Sequence, residues 1–155
     1  MNSPTNGMYS KILVPVDGSP TALRGLTEAC GLAKALRSKI KLVHVVNELV
    51  TDYTLAPSVY YEQVIQAVRD TGQKALAQAR AHARQLDVEV ESELIETIGV
   101  RASASIVEAA TQWNADLVVM GTHGRRGLQR LALGSDAELV LRTSPVPVLM
   151  VRAAA

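Results

Sequence analysis

The stretch ADLVVMGTHGRRGLQRLALGSDAE, residues 115–138, carries most of the information about the fold. Its first part contains a continuous apolar run of strand length, which predicts a central strand buried on both faces. Four glycines then punctuate a segment with three arginines, and the last glycine precedes Ser-Asp-Ala-Glu and an apolar helical pattern. The stretch therefore predicts a strand, a glycine-rich loop and a helix in immediate succession.

Other strand-length apolar runs alternate with helical patterns along the rest of the chain. The predicted strands are KILVPVD from residue 11, IKLVHVV at 40–46, VEVESEL at 88–94 and VPVLMV at 146–151. Apolar spacing of three and four residues predicts helices after Ser19 to residue 36, at about 58–85, at about 102–113 and at 135–142. Ser19 is the expected N-cap of the first helix, with Pro20 at its first position. This alternation predicts an α/β fold, a parallel sheet with helices on both faces.

The order of the strands follows from which of them are edges. Glu89, Glu91 and Glu93 give the third strand a solvated face. Pro145 and Pro147 flank the start of the fifth strand, and proline cannot donate to a ladder. With the first and fourth strands central, we expect a single doubly wound, five-stranded sheet of order 3-2-1-4-5. Ligands of such sheets bind at the carboxyl ends of the strands where the winding reverses, here strands 1 and 4.

Length and composition indicate one domain over residues 1–155, with residues 1–9 as a flexible N-terminal tail. The single cysteine, Cys30, cannot form an internal disulfide and is expected in the core. Neither a signal peptide nor a membrane-length apolar run is recognisable, so we expect a cytoplasmic location and no membrane partner. A net charge of +1, no phenylalanine and one tryptophan argue against nucleic acid as a partner.

The glycine-rich segment has the composition of an anion site. Glycine allows close approach of the backbone, and free N–H groups at a turn or helix N-terminus attract phosphate oxygens. Ser135 and Glu138 also fit an S-x-x-E capping box, a structural use of the same helix start. Because no nucleophile elbow, metal-ligand cluster, P-loop or G-x-G-x-x-G turn is present, the sequence predicts binding rather than catalysis.

The spacing G-x2-G-x9-G-S, formed by Gly121, Gly124, Gly134 and Ser135, resembles the ATP-binding motif of the universal stress protein family. The resemblance covers nearly the whole chain, with KILVPVDGS, LVHVV, ADLVVMGTHGRRGLQRLALGS and SPVPVLMVR in the family's order. It implies a Rossmann-like fold of the adenine nucleotide alpha hydrolase type. It also implies ATP as the ligand, pairing into dimers and a role in survival under stress.

The same resemblance implies roles for residues on the adenosine side. Asp17 lies where the family contacts the adenosine portion, Pro15 and Val16 form the adjoining wall, and the backbone of Val45 meets adenine. The complete expected ATP-binding set is Pro15, Val16, Asp17, Val45, Met120, Gly121, Gly124, Arg125, Gly134, Ser135 and Asp136.

On the phosphate side, the resemblance implies that Gly121 and Gly124 approach ribose and phosphate. Gly134 and Ser135 would hold the phosphate tail through their N–H groups and the serine hydroxyl.

Charged residues near this motif leave alternatives open. Arg125, Arg126 and Arg130 lie between the glycines, and at most one of them, Arg125, is expected to contact the ligand. Asp136 departs from the small or apolar residue usual in the family after the serine. Its carboxylate would repel phosphates, favour a bound Mg²⁺ or simply complement the helix dipole. Of the histidines, His123 is expected on a surface loop, and His44 is expected to be structural.

The resulting hypothesis is an ATP-binding stress protein with weak or absent hydrolysis. One alternative is an interaction module of the same fold that binds protein partners and no nucleotide; another is a flavin-binding electron-transfer domain. The apolar edge strand at Val146 to Val151 predicts a homodimer formed by pairing of this strand with its copy.

Overall fold

A computed structural model describes residues 8–47, 58–123 and 133–153 of the chain. Strands and helices alternate along these residues. The strands are β1 (Lys11–Pro15), β2 (Lys39–Asn47), β3 (Val90–Thr97), β4 (Leu117–Gly121) and β5 (Val148–Val151). The helices are α1 (Pro20–Leu36), α2 (Ser58–Gln85), α3 (Ala102–Gln112) and α4 (Ser135–Thr143).

The strands form one parallel sheet of order β3-β2-β1-β4-β5, which confirms the predicted fold class and strand order. β1 lies between β2 and β4, with Leu13 level with Lys41 on one side and with Val118 on the other. The winding of the chain therefore reverses between β1 and β4, and their carboxyl ends border a crevice.

Alternation of side chains along the strands divides the core into two clusters, one on each face of the sheet. On one face, Ile12 and Val14 pack with residues of α1 and α2, among them Leu26 and Leu76. On the other face, Leu13 packs with residues of α3 and α4. All residues of β4 are buried, because helices cover this strand on both sides. Helices on both faces are as predicted.

α1 begins at the predicted signals and contributes the cysteine to the core. Ser19 is its N-cap, with Oγ accepting a hydrogen bond from the Ala22 N–H at 3.1 Å, and Pro20 starts the helix. Cys30 is buried in the first core cluster, as predicted. Burial raises the pKa of the Cys30 thiol, and the charge of Lys34 opposes this effect. The thiol is therefore a packing group.

Two local predictions on α2 and β3 are wrong. The helical pattern at 58–85 predicts a sheet-facing row whose residues become small toward the C-terminus: Val64, Val68, Gly72, Ala75 and Ala79. In the structure Val64 and Val68 are exposed, and Ile65 takes the buried position in that part of the helix. β3 runs on to Thr97, because β2 extends to Asn47 and the two strands pair residue by residue to their ends.

The end of the predicted N-terminal tail belongs to the folded structure. Tyr9 packs against the first core cluster, and its carbonyl oxygen accepts a hydrogen bond from the Ser38 hydroxyl at 2.5 Å. The Asp116 carboxylate accepts hydrogen bonds from the N–H and hydroxyl of Ser10 at 2.8 and 2.9 Å. The prediction that Tyr9 lies in a flexible tail is therefore wrong. Residues 1–7 lie outside the described part of the chain.

Candidate functional site

A cavity of about 490 Å³ lies at the carboxyl ends of β1, β2 and β4. This is the place where doubly wound sheets bind ligands. Nine predicted site residues from four chain segments line it: Pro15, Val16, Asp17, Val45, Met120, Gly121, Gly134, Ser135 and Asp136. The other two, Gly124 and Arg125, lie outside the described residues, as do Arg126 and Arg130.

The sequence did not predict every residue of the cavity wall. The additional lining residues are Ala22, Val43, His44, Ala102, Ile106, His123 and Ala137. Val43 could have been inferred, because it lies two positions before Val45 and so shares its face of β2. Ala102 and Ile106 gave no such signal, since their approach depends on how α3 packs on the sheet.

The turn from β1 into α1 is held by two polar side chains. Asp17 Oδ1 accepts a hydrogen bond from the Ser19 N–H at 2.9 Å, and Gly18 between them has φ = 80°. His44 Nδ1 lies 2.8 Å from the carbonyl oxygen of Val16 and must donate, since a carbonyl can only accept. This bond agrees with the structural role predicted for His44. It connects Val16, in the cavity wall, to β2.

Gly121 lacks a side chain for a reason of packing. A Cβ at this position would lie 2.7 Å from Cγ2 and 2.9 Å from the backbone carbonyl carbon of Thr21, in the first turn of α1. The family resemblance had implied that this glycine approaches ribose and phosphate. Its backbone does line the cavity, but the space that a Cβ would need is taken by α1.

The start of α4 differs from the prediction. Gly134 is the N-cap, so Ser135 is the first helical residue, and the predicted capping box of Ser135 and Glu138 is absent. The Gly134 N–H donates to the carbonyl oxygen of Thr122 at 2.8 Å. This N–H was expected to hold a phosphate, but in the structure it is paired with Thr122 and is not among the free donors at the helix start.

The donors that remain at this helix start are the N–H groups of Ser135, Asp136 and Ala137. The first helical hydrogen bond of α4 runs from the Glu138 N–H to the Gly134 carbonyl oxygen at 2.9 Å. Within the described ranges nothing accepts a hydrogen bond from the three preceding N–H groups. The same three residues line the cavity, so their unpaired donors lie at its wall. Such donors are suited to an anionic oxygen.

The two other helix starts that border the cavity have capping side chains. Ser19 caps α1. At α3 the N-cap residue, Arg101, makes no side-chain cap bond, but Asp136 Oδ1 of α4 accepts a hydrogen bond from the Ser103 N–H at 3.3 Å. Of the three starts, α4 is thus the one that no side chain of the described residues caps.

His123 lies in the cavity wall, whereas the sequence predicted a surface-loop position. Its Nδ1 lies 2.9 Å from the Thr122 hydroxyl oxygen. Its Nε2 is buried and has no hydrogen-bond partner in the described part of the chain. Since buried polar atoms are normally paired, a ligand is one means of satisfying this nitrogen.

The described residues, 8–47, 58–123 and 133–153, lack two other kinds of feature. No three His, Cys, Asp or Glu side chains there are arranged to hold a metal ion. No helix there combines the length and apolar character needed to cross a bilayer.

Comparison with known proteins gives consistent matches. Residues 8–152 match the model of the universal stress protein family. A universal stress protein of Methanocaldococcus jannaschii is 36% identical over 146 residues, which cover 94% of this chain and 83% of the relative. The solved structure of UspA from Lactobacillus plantarum has a TM-score of 0.81 at 26% identity, over 95% of this chain and 100% of its own. A universal stress protein structure from Burkholderia pseudomallei has a TM-score of 0.73 at 33% identity, covering 95% and 98%.

Three further structures of this fold contain an adenine nucleotide. A universal stress protein in complex with cAMP has a TM-score of 0.64 at 24% identity, covering 95% of this chain and 99% of its own. One from Archaeoglobus fulgidus with dAMP has a TM-score of 0.66 at 24% identity, covering 93% and 98%. One from Arabidopsis thaliana with AMP has a TM-score of 0.67 at 17% identity, covering 94% and 93%. At these identities the likeness concerns the fold.

Proposed function

The chain belongs to the universal stress protein family, and we propose that it binds an adenine nucleotide, ATP, in the crevice between β1 and β4. The observation that carries the proposal is the start of α4, whose first N–H groups have no partner among the described residues and lie at a cavity where the winding of the sheet reverses. The structures of the same fold with cAMP, dAMP and AMP support the choice of an adenine nucleotide.

In this proposal α4 holds the phosphates through the N–H groups of Ser135, Asp136 and Ala137. The helix dipole adds attraction for negative charge at the same point. Ser135 is exposed, and its hydroxyl has no partner among the described residues, so it is available as a further donor. Gly134 contributes by having no side chain in front of these donors.

The remaining wall of the cavity suits adenosine. Pro15, Val43, Val45, Ile106 and Met120 provide apolar surface for the faces of a flat base. The Asp17 carboxylate lines the same cavity and can accept hydrogen bonds from ribose hydroxyls. The cavity volume of about 490 Å³ is within the range of roughly 300–1,000 Å³ usual for small-molecule sites.

The proposal concerns binding, with hydrolysis weak or absent, because the sequence has no P-loop lysine to stabilise a transferred phosphoryl group. In this proposal, nucleotide binding controls a role of the protein in survival under stress. Mg²⁺ is the cation that would accompany ATP in the site. Loop arginines that could assist the phosphates lie outside the described residues.

The first experiment is mass spectrometry of small molecules released from freshly purified protein, followed by calorimetry of the stripped protein with ATP and adenosine. We expect released adenine nucleotide and saturable binding of both ligands. If neither ligand binds, the nucleotide proposal fails. The better interpretation of the protein is then an interaction module of the same fold that binds protein partners.

A variant at Gly134 tests the role of the α4 donors. Gly134 has φ = −61° and ψ = 150°, which any residue can adopt. Serine at an N-cap accepts a hydrogen bond from the second or third helical N–H, so Gly134→Ser should compete with phosphate for the donors of α4. We expect ATP affinity to fall about tenfold, equivalent to one charge-assisted hydrogen bond, with adenosine affinity unchanged.

Gly134→Ala is the matched control, since it adds a methyl group of similar bulk without an acceptor. A smaller loss of ATP affinity is expected for alanine than for serine. Equal losses would mean that bulk alone matters at this position and would contradict the assignment of phosphate to the α4 donors.

A further inference from the structure

Asp136 brings a negative charge to the same cavity wall that offers the free donors of α4. It is the second residue of this helix, it is half-buried, and it lines the cavity. A carboxylate in the first turn of a helix and an anionic ligand at its N-terminus compete for the same positive end of the dipole. Asp136, which departs from the motif of the family, is therefore placed to influence how strongly the site binds ligands of different negative charge.

We propose that Asp136 sets the charge preference of the site and disfavours phosphate chains that are not neutralised by a divalent cation. The inference rests on the proposed nucleotide function and deepens it. Its basis is the contact of Asp136 with the neighbouring helix, together with the position of its side chain in the cavity wall.

The contact with α3 restrains the carboxylate. Oδ1 accepts the hydrogen bond from the Ser103 N–H at 3.3 Å, and Ser103 is itself buried. Turning the carboxylate away from an arriving phosphate would leave a backbone donor at the start of α3 unpaired, which is unfavourable. The carboxylate therefore stays in the wall when the ligand binds. Oδ2 has no hydrogen-bond partner among the described residues, and so one oxygen remains available to a cation.

The repulsion between the Asp136 carboxylate and a bound ligand grows with the negative charge of the ligand. Like charges a few ångströms apart in a partly buried site repel strongly enough to change affinity by an order of magnitude. Adenosine carries no charge and does not experience this repulsion. A divalent cation between the phosphates and Oδ2 converts the repulsion into shared coordination, since carboxylate and phosphate oxygens are both ligands that Mg²⁺ accepts.

The test compares wild-type protein with Asp136→Asn. Asparagine retains an oxygen that can accept the Ser103 N–H, removes the charge and replaces Oδ2 by an NH2 group; Asp136→Ser removes the charge without adding this amide donor. Calorimetric affinities are measured for adenosine, AMP and ATP, first in EDTA and then in Mg²⁺. In EDTA we expect Asp136→Asn to bind ATP about tenfold and AMP about threefold more tightly than wild type, with adenosine within about twofold. In Mg²⁺ we expect a smaller difference in ATP affinity between Asp136→Asn and wild type than in EDTA.

Glu138→Gln is the matched control. Glu138 is also in the first turn of α4, but it is exposed, does not line the cavity and is paired with Arg142 at 2.7 Å. The same change of charge there should leave the ratio of ATP to adenosine affinity within about twofold of wild type. Circular dichroism of each variant checks the fold, and Asp136→Ser, with the same expected result, serves if the asparagine variant does not fold.

The possible outcomes separate the two proposals. An unchanged or lower ratio of ATP to adenosine affinity in Asp136→Asn, with adenosine still bound, overturns the role of Asp136 and leaves the nucleotide site intact. An equal rise of that ratio in Glu138→Gln also overturns it, because any charge on the helix start would then suffice. If wild type binds neither adenosine nor ATP, both proposals fail.

Discussion

Gly121 belongs to the glycine motif, and the close packing of α1 also requires a glycine at this position. A Cβ there would meet three atoms of Thr21 at 2.7, 2.9 and 3.0 Å, and two of these atoms belong to the backbone. Since α1 would have to move to make room, we expect Gly121→Ala to lower the free energy of unfolding by about 1–3 kcal/mol. Urea unfolding followed by circular dichroism measures the change.

Gly31 provides the comparison for this substitution. It lies in the interior of α1, and no atom of the described residues is within 4 Å of the position where its Cβ would be. Gly31→Ala should therefore raise the free energy of unfolding by about 0.5–1 kcal/mol through helix propensity. If Gly121→Ala were as stable as wild type, the packing explanation would be wrong, and ligand approach would be left as the reason for the glycine.

Among the elements, α1 ends with a residue in an unfavourable conformation. Arg37, its C-cap, has φ = 58° and ψ = 40°, the left-handed region in which a Cβ costs roughly 1 kcal/mol. Glycine is usual at the ends of helices for this reason. We expect Arg37→Gly to stabilise the protein by up to about 1 kcal/mol, a rise of Tm by about 2–4 °C measured by calorimetry.

Arg37→Ala separates this backbone effect from loss of the arginine side chain. Alanine keeps the Cβ in the left-handed region, so no gain in Tm is expected. A similar rise of Tm in both variants would show that the arginine side chain itself, and not its backbone conformation, is unfavourable.

α2 shows how an element far from the cavity contributes to it. The prediction of small sheet-facing residues is confirmed at Gly72, where a Cβ would lie 2.7 Å from His44 Cδ2 and 2.8 Å from Leu94 Cδ1. The space left by this glycine admits the His44 ring, whose Nδ1 holds the Val16 carbonyl at the cavity wall. The pattern of small residues was visible in the sequence, but the histidine that fills the space was not.

For the whole molecule, the exposed edge of the sheet is the feature that bears on assembly. β5 is an edge strand, and its Leu149 is 39% exposed. An apolar edge promotes pairing unless it is covered. We expect a homodimer in which the strands of two copies pair through residues 146–151, and we expect Leu149→Lys to give a monomer. Sedimentation equilibrium measures the mass of both proteins.

Leu36, the last residue of α1, is also 39% exposed, but it belongs to a helix and not to the edge strand. Leu36→Lys introduces the same charge at the same exposure and should leave the dimer unchanged. A monomer mass for the wild-type protein at every concentration would refute the proposed pairing.

Much of this architecture was predictable because its signals are local. The apolar run before Gly121, the alternation of strands and helices and the prolines before β5 each lie within a short segment, and together they determined the strand order. The Ser19 cap is local in the same sense and was predicted correctly. Most of the expected cavity residues also came together, since the carboxyl ends of parallel strands share one edge of a sheet.

The sequence by itself thus determined the sheet, its winding and the place of the crevice. Only the tertiary structure decided which groups in the crevice are free to meet a ligand. The Gly134 N–H is taken by Thr122, and the Asp136 carboxylate accepts the Ser103 N–H. These contacts join segments distant in the chain, and they depend on how α3 and α4 settle on the sheet, a geometry that no local pattern encodes.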